Sequence, residues 1–201
     1  MKIAIIVGSQ QQDSQSAKVG RYLAKQLDNL GHQHYTLDLG PNPLPLWDNS
    51  IWAGDQEWKT RLAPISAELD SADGLVVISP EYNGMVPAGL KNFFLLFGKE
   101  VLGHKPGYIV AVSAGNGGAY PVVELRMSSY KNCRLCFTPE HTIVRHVGQV
   151  LNENGENDER NDSYTRAHLD YGLNILLEYA KALAAVRDSG VIDYKQFGNG
   201  M

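Results

Sequence analysis

Three segments of this 201-residue chain combine glycines, hydroxyls and an aromatic ring in patterns suited to holding an anion and a flat molecule. The first is Gly8-Ser9-Gln10-Gln11-Gln12-Asp13-Ser14-Gln15-Ser16-Ala17. An apolar run precedes it and a helical pattern follows, so unpaired backbone N–H groups gather at the turn and bind anions without a basic side chain. Ser9, Ser14 and Ser16 add hydroxyl donors suited to a terminal phosphate, with Gln11 and Ala17 in the same stretch. The segment is neither a Walker loop, since no Gly-Lys-Ser/Thr closes it, nor a dinucleotide G-x-G-x-x-G. Plain helix capping by Ser14 is the alternative role. The second segment, Ser79-Pro80-Glu81-Tyr82-Asn83-Gly84-Met85-Val86-Pro87, is a compact turn after the apolar run Gly74-Leu75-Val76-Val77-Ile78. Main-chain groups from Pro80 to Gly84 can follow the edge of a planar heterocycle, and Tyr82 can stack on it or meet its edge. Glu81 is expected to be a solvated carboxylate or to accept bonds from N–H groups of the following helix, rather than to act as an acid. The third segment runs from Ser113 through Gly115, Asn116 and Gly117 to Gly118, and its glycines permit close backbone approach to a ligand.

The elements that must carry these loops alternate. Strands are expected at residues 2–7, 34–39, 74–79, 108–113 and 142–147, from short β-rich runs. Helices are expected at 14–30, 55–72, 87–97, 121–130 and 165–186, from apolar residues at helical spacing such as Val19, Leu23, Leu27 and Leu30. Pro64 is expected to kink or divide the second of these. The Pro41–Pro45 stretch can continue neither element, and 152–161 reads as a polar flap. Five buried strands, each followed by a helix, imply an α/β doubly wound parallel sheet covered on both faces. The economical strand order is 2-1-3-4-5, which brings the loops after the first, third and fourth strands to one switch point. One domain is expected over 1–195, with a frayed tail at 196–201.

Composition excludes several classes. The net charge is -4 and no basic run would neutralise phosphates, which argues against nucleic acid as a partner. No segment has the roughly 20 apolar residues of a membrane span. Two cysteines and no secretion signal point to the cytoplasm. Cys133-x-x-Cys136-x4-His141-x4-His146 has the spacing of a zinc knuckle. Against zinc, no glycine relieves the tight turns, and a strand at 142–147 would turn the two histidines to opposite sides. No metal site is therefore expected.

Ser79 to Pro87, continuing to Gly89-Leu90-Lys91-Asn92, resembles the flavin-ring motif of the NADPH-dependent FMN reductase family, flavodoxin-like proteins that include quinone, azo-dye and chromate reductases. Gly8-Ser9 with Ser14 and Ser16 is similar to that family's phosphate loop, and Ser113–Gly118 to its third flavin-side loop. The match covers roughly residues 1–126 well. It departs at Gln11, where the family often has Arg, and at Ser16, where it often has Asn. The resemblance implies FMN held by Ser9, Gln11, Ser14, Ser16, Ala17, Pro80, Glu81, Tyr82, Asn83, Gly84, Ser113, Gly115, Gly117 and Gly118. It implies NADPH or NADH as reductant, small-molecule electron acceptors, no obligatory catalytic side chain, and a homodimer or homotetramer. Trp47, Trp52, Trp58 and Tyr120 are candidate walls for the ring, although at least two are expected to pack elsewhere. An FMN electron carrier without reductase activity and a flavin-free binding protein are the alternatives.

Overall fold

The computed structural model describes residues 1–199. Its elements are β1 (Lys2–Val7), α1 (Gln15–Asn29), β2 (Gln33–Asp38), α2 (Gln56–Asp70), β3 (Gly74–Pro80), α3 (Ala88–Leu96), α4 (Lys99–Leu102), β4 (Pro106–Val112), α5 (Ala119–Ser128), β5 (Cys136–Val144) and α6 (Glu159–Asp188). All five strands run parallel in the order β2-β1-β3-β4-β5. This is the flavodoxin-like α/β arrangement expected from the alternating pattern.

Period-2 alternation splits the apolar residues of each central strand between two cores. Ala4 and Ile6 of β1, with Leu75 and Val77 of β3, face the layer that holds α2, α3 and α5. Ile3, Ile5 and Val7, with Val76 and Ile78, face α1 and α6. Both faces are thus dry, which explains why β3 and β4 are buried along their whole length. No helix among the described residues is long and apolar enough to cross a membrane.

Several boundaries differ from expectation, each for a physical reason. β5 begins at Cys136 and ends at Val144, where sequence pattern put it at 142–147. Pro139 hid the strand's first half. β5 is an edge strand, and its register against β4 shifts between Gly107 and Ile109, so the proline falls in an irregularity that needs no ladder N–H. α6 starts at Glu159 because Asp158 caps it, accepting from the Asn161 amide at 2.8 Å. Pro64 lies on the exposed side of α2 and does not divide the helix. Residues of the tail expected to fray at 196–201 make hydrogen bonds to the rest of the chain. Asp193 accepts from the Lys195 and Gln196 amides, and Arg134 donates to the carbonyls of Phe197 and Asn199. The expected frayed residues 200 and 201 lie outside the described residues.

Candidate active site

Strand order alone brings the three loops together, since β1, β3 and β4 are neighbours and all end at the same edge. The backbone continues the sheet there. The Gly8 amide donates to the Ile78 carbonyl (2.8 Å), Glu81 to Val112 (3.0 Å) and Ser113 to Val144 (2.9 Å).

Two hydrogen bonds then lock the loops to one another. Ser9 is fully buried, and its Oγ shares a 2.8 Å hydrogen bond with the Tyr82 hydroxyl, joining the first loop to the second. The Glu81 carboxylate accepts from the Gly118 amide at 2.7 Å, joining the second to the third. Glu81 has the structural role expected of it, but its donor belongs to the third loop rather than to the helix that follows. Gly118 has to be glycine: its φ is 101°, and a Cβ there would lie 2.3 Å from Ile143 Cγ2.

The second loop is a two-residue hairpin turn. Tyr82 and Met85 exchange both backbone hydrogen bonds, at 3.1 and 2.9 Å. Asn83 and Gly84 between them have φ of 50° and 73°, the left-handed pair that Asn-Gly supplies at low cost. This closure uses the Tyr82 amide, and the Gly115 amide is used by Ser113 Oγ (3.2 Å). The amides of Asn83, Gly84, Asn116 and Gly117 have no partner among the described residues and remain to meet a ligand edge.

In the first loop Ser14 does cap α1, its Oγ accepting from the Ala17 amide at 3.0 Å. The first-turn amides of Gln15 and Ser16 have no partner among the described residues. Ser16 is buried at 2% exposure, and its hydroxyl makes no hydrogen bond to another described residue. Gln11 is exposed and its amide donates to Ser9 Oγ (3.2 Å). The loop carries no basic side chain, so an anion here meets main-chain N–H groups and the positive end of α1.

The support around the rim was not legible in the sequence. Gln10 Oε1 accepts from the Gly89 amide at 3.0 Å and fastens the first loop to the start of α3. Glu124 of α5 accepts from the Val86 amide (2.8 Å) and pairs with Lys91 (2.5 Å). Burial pushes the Glu124 carboxyl up, but the Lys91 and Val86 bonds outweigh it and hold the group below the ordinary carboxylate range. Asn92, buried in α3, donates to the Pro45 carbonyl and accepts from the Trp47 amide, both at 2.8 Å. Arg145 donates to the Asn116 and Gly117 carbonyls, at 2.8 and 3.0 Å, and so shapes the third loop from behind. Each pairing joins residues far apart in the chain. Of the aromatic wall candidates, Trp58 is buried in the core and donates to Ser50 Oγ (2.9 Å), and Trp47 packs against that core and Trp52. Tyr120 is exposed and lies nearest the rim, with its ring 3.9 Å from where a Gly84 Cβ would be.

The family model described as NADPH-dependent FMN reductase matches residues 1–148. This chain belongs to the NADPH-dependent FMN reductase family. It is 30% identical over 162 residues to a 2-hydroxy-1,4-benzoquinone reductase of Burkholderia sp, covering 77% of this chain and 84% of that one. Among solved structures it is similar to the flavoenzyme NAD(P)H:(acceptor) oxidoreductase FerB from Paracoccus denitrificans, with a TM-score of 0.69 at 22% identity over 89% and 98% of the two chains. It is also similar to an FMN-dependent NADH-azoreductase from Bacillus anthracis str. Ames Ancestor in complex with FMN, with a TM-score of 0.59 at 15% identity over 88% and 99%.

The site fits the family's cofactor. Unpaired amides at a helix start suit a phosphate, and the free amides of two adjoining loops suit the polar edge of an isoalloxazine ring. The zinc alternative finds no such fit. Cys133 lies in a turn with its thiol donating to the Ser129 carbonyl, and His146 sits in a left-handed turn beyond β5, bonded to Asn116. No group of three or more His, Cys, Asp or Glu among the described residues could hold a metal ion.

Proposed function

We propose that this protein is an FMN-dependent NAD(P)H oxidoreductase that passes two electrons to quinones or similar acceptors such as azo dyes, chromate or free flavin. The observation that carries the reading is the rim itself: three loops fixed to one another by the Ser9–Tyr82 and Glu81–Gly118 bonds, with unpaired amides on each. The Gln15 and Ser16 amides and the hydroxyls of Ser14 and Ser16 hold the FMN phosphate, and Ser9 steadies the loop through its bonds to Tyr82 and Gln11. When bound, FMN supplies the hydride and electron chemistry. The Asn83, Gly84, Asn116 and Gly117 amides orient the ring by its polar edge and favour negative charge on it, each such donor being worth on the order of 3 kcal/mol in related settings. The main chain of Pro80, Glu81 and Gly118 sets the floor, and Tyr82 fixes the loop spacing. No side chain here is required to move a proton.

The exposed apolar stripe on α5 supports a homo-oligomer. Val123 and Met127 are 61% and 72% exposed, and the Lys91–Glu124 pair sets α5 beside α3, where Leu95 is 62% exposed. A second copy covering this surface would wall the ring beside Tyr120. Sedimentation should show a dimer or tetramer, and Met127→Glu should return monomer.

The activity test is direct. Purified protein given FMN should turn yellow and oxidise NADPH when a quinone is added. A yellow protein inert to NADPH and NADH is a carrier, and a protein that takes up no FMN refutes the reading.

A further inference from the structure

Apart from the rim, a cavity of about 730 Å³ opens between α1, α6 and residues 151–155. Its lining is strongly basic, although the chain as a whole carries a net charge of -4. Lys18, Arg21 and Lys25 follow one another at i, i+3 and i+7, which places all three on one face of α1. Arg166 of α6 faces them across the cavity, and Glu153 is the one carboxylate in the lining.

These cations are not alike. Lys18 is committed to the fold: its Nζ donates to the Val147 and Val150 carbonyls and to Asn152 Oδ1, each at 2.7 Å, which fastens the segment after β5 over α1. Burial, with the neighbouring Arg21 charge, pushes its ammonium below the ordinary lysine value. Arg166 is held by Asp162 (2.7 Å) and lies 5.1 Å over the Tyr22 ring. Arg21 and Lys25 are exposed and have no hydrogen bond or carboxylate partner among the described residues.

Such an arrangement costs the protein stability. Like charges three and four residues apart destabilise a helix, and no acid in the first turn of α1 offsets them. No carboxylate among the described residues pairs with Arg21 or Lys25, which leaves both cations open to a bound anion. The place of the cavity indicates which one. Arg21 and Lys25 are seven and eleven residues from Ser14, about 10 and 16 Å along the helix axis, a span that a dinucleotide with its nicotinamide at the rim can cover alongside α1.

We propose that this cavity binds the phosphate-bearing end of a nucleotide, and specifically the 2′-phosphate of the reduced nicotinamide cofactor that serves the rim. The second half of this assignment rests on the reductase reading above. Arg21 supplies a planar fork for two phosphate oxygens, Lys25 a point charge, and the Arg166 face a surface on which adenine stacks. NADH lacks the phosphate and leaves the cations unpaired, so the cavity selects NADPH.

The test uses the full-length protein. Calorimetric titration with adenosine 2′,5′-bisphosphate should show binding at least about tenfold tighter than with adenosine 5′-monophosphate, weakening as salt is added. The Arg21→Gln/Lys25→Gln double variant, altered only at exposed positions, should lose about tenfold in bisphosphate affinity, and Glu153→Gln should gain affinity. In steady-state turnover the double variant should lower the NADPH-to-NADH ratio of kcat/KM by about the same factor. Failure of the wild type to bind the bisphosphate, or equal binding by the double variant, overturns the site. Displacement by inorganic phosphate as effective as by the bisphosphate overturns a nucleotide ligand. Bisphosphate binding that depends on Arg21 and Lys25 with an unchanged nucleotide ratio supports the cavity but overturns its link to the reductant. A protein that takes up no FMN fails the reductase reading, while the titration still reads the cavity.

Discussion

Two hydrogen bonds decide whether the rim is a site or merely three loops. Tyr82→Phe removes the hydroxyl that joins the second loop to Ser9, while Ser9 Oγ still accepts from the Gln11 amide. A bond of this kind contributes about 0.5–1.5 kcal/mol, so the dissociation constant of FMN should rise roughly 2- to 12-fold by fluorescence titration. An unchanged constant would remove this bond from the site. Glu81 gives a graded test. Glu81→Gln keeps an oxygen for the Gly118 amide and should weaken FMN only slightly, whereas Glu81→Ala leaves that buried amide unpaired, at a cost of about 1–3 kcal/mol. Equal losses for the two variants would argue against the amide bond as the cause. At this scale the sequence discloses what is local. Asn83-Gly84 marks its own turn, and Ser14 marks its own cap. The supports of Gln10 on Gly89, Glu124 on Val86 and Arg145 on Asn116 are invisible there, because each depends on two segments meeting only after folding. The basic cavity was hidden in the same way. In the sequence Lys18, Arg21 and Lys25 merely share one face of a helix, and only the fold sets Arg166 and the 151–155 segment against them.

Among the elements, α6 shows how one missing side chain sets a packing distance. Gly172 sits inside this helix, where glycine disfavours the helix by about 1 kcal/mol relative to alanine. The Tyr108 ring of β4 occupies the space: a Cβ on Gly172 would fall 2.3 Å from Cζ and 2.4 Å from the hydroxyl. That hydroxyl bonds Thr142 Oγ1 of β5 at 2.5 Å, so the ring cannot simply swing away. Gly172→Ala should therefore destabilise despite its better helix propensity, by about 1–3 kcal/mol. For a chain of this size that corresponds to a fall in Tm of roughly 2–12 °C. Gly148→Ala, which would meet no atom within 4 Å, should shift stability by less than about 0.5 kcal/mol. A Gly172→Ala protein as stable as the wild type would show that the helix rides out from the sheet without loss. The strand order and helix spacing were legible because apolar period and short connections determine them. β5 and the first turns of α6 were not, since a proline in an edge irregularity and a polar helix start carry no apolar period.

For the molecule as a whole, the rim and the opposite edge of the sheet report on different things, and pH separates them. Lys105 precedes β4 at that opposite edge, 5% exposed, its Nζ donating to the Leu69 and Asp70 carbonyls at the end of α2, both at 2.7 Å. Burial pushes its ammonium from the ordinary 10.5 down to about 8, with the Asp70 charge pulling the other way. Between pH 8 and 10.5 the unfolded chain therefore binds more protons at this position than the folded one, and stability rises with pH there. Below pH 8 the buried charge is a standing cost. Cys133 and Cys136, whose thiols burial pushes up, act in the opposite sense, because the unfolded thiols ionise first as pH rises. Tyr108, also raised by burial, adds to that loss above about pH 10. The net slope of the wild type thus mixes opposing groups, but the difference between two proteins isolates one of them. Lys105→Met removes the titrating group and leaves the thiols and Tyr108 in place. Its stability at any single pH also reflects two lost hydrogen bonds, so the informative quantity is the change with pH. Urea midpoints taken at about pH 7.5, 8.5 and 9.5 should rise less, or fall more, in Lys105→Met than in the wild type. FMN affinity should stay equal in the two proteins, because Lys105 lies at the far end of β4 from the three loops. Parallel midpoint curves would mean that the Lys105 ammonium stays charged across this range and that α2 is closed by an ion rather than by an amine.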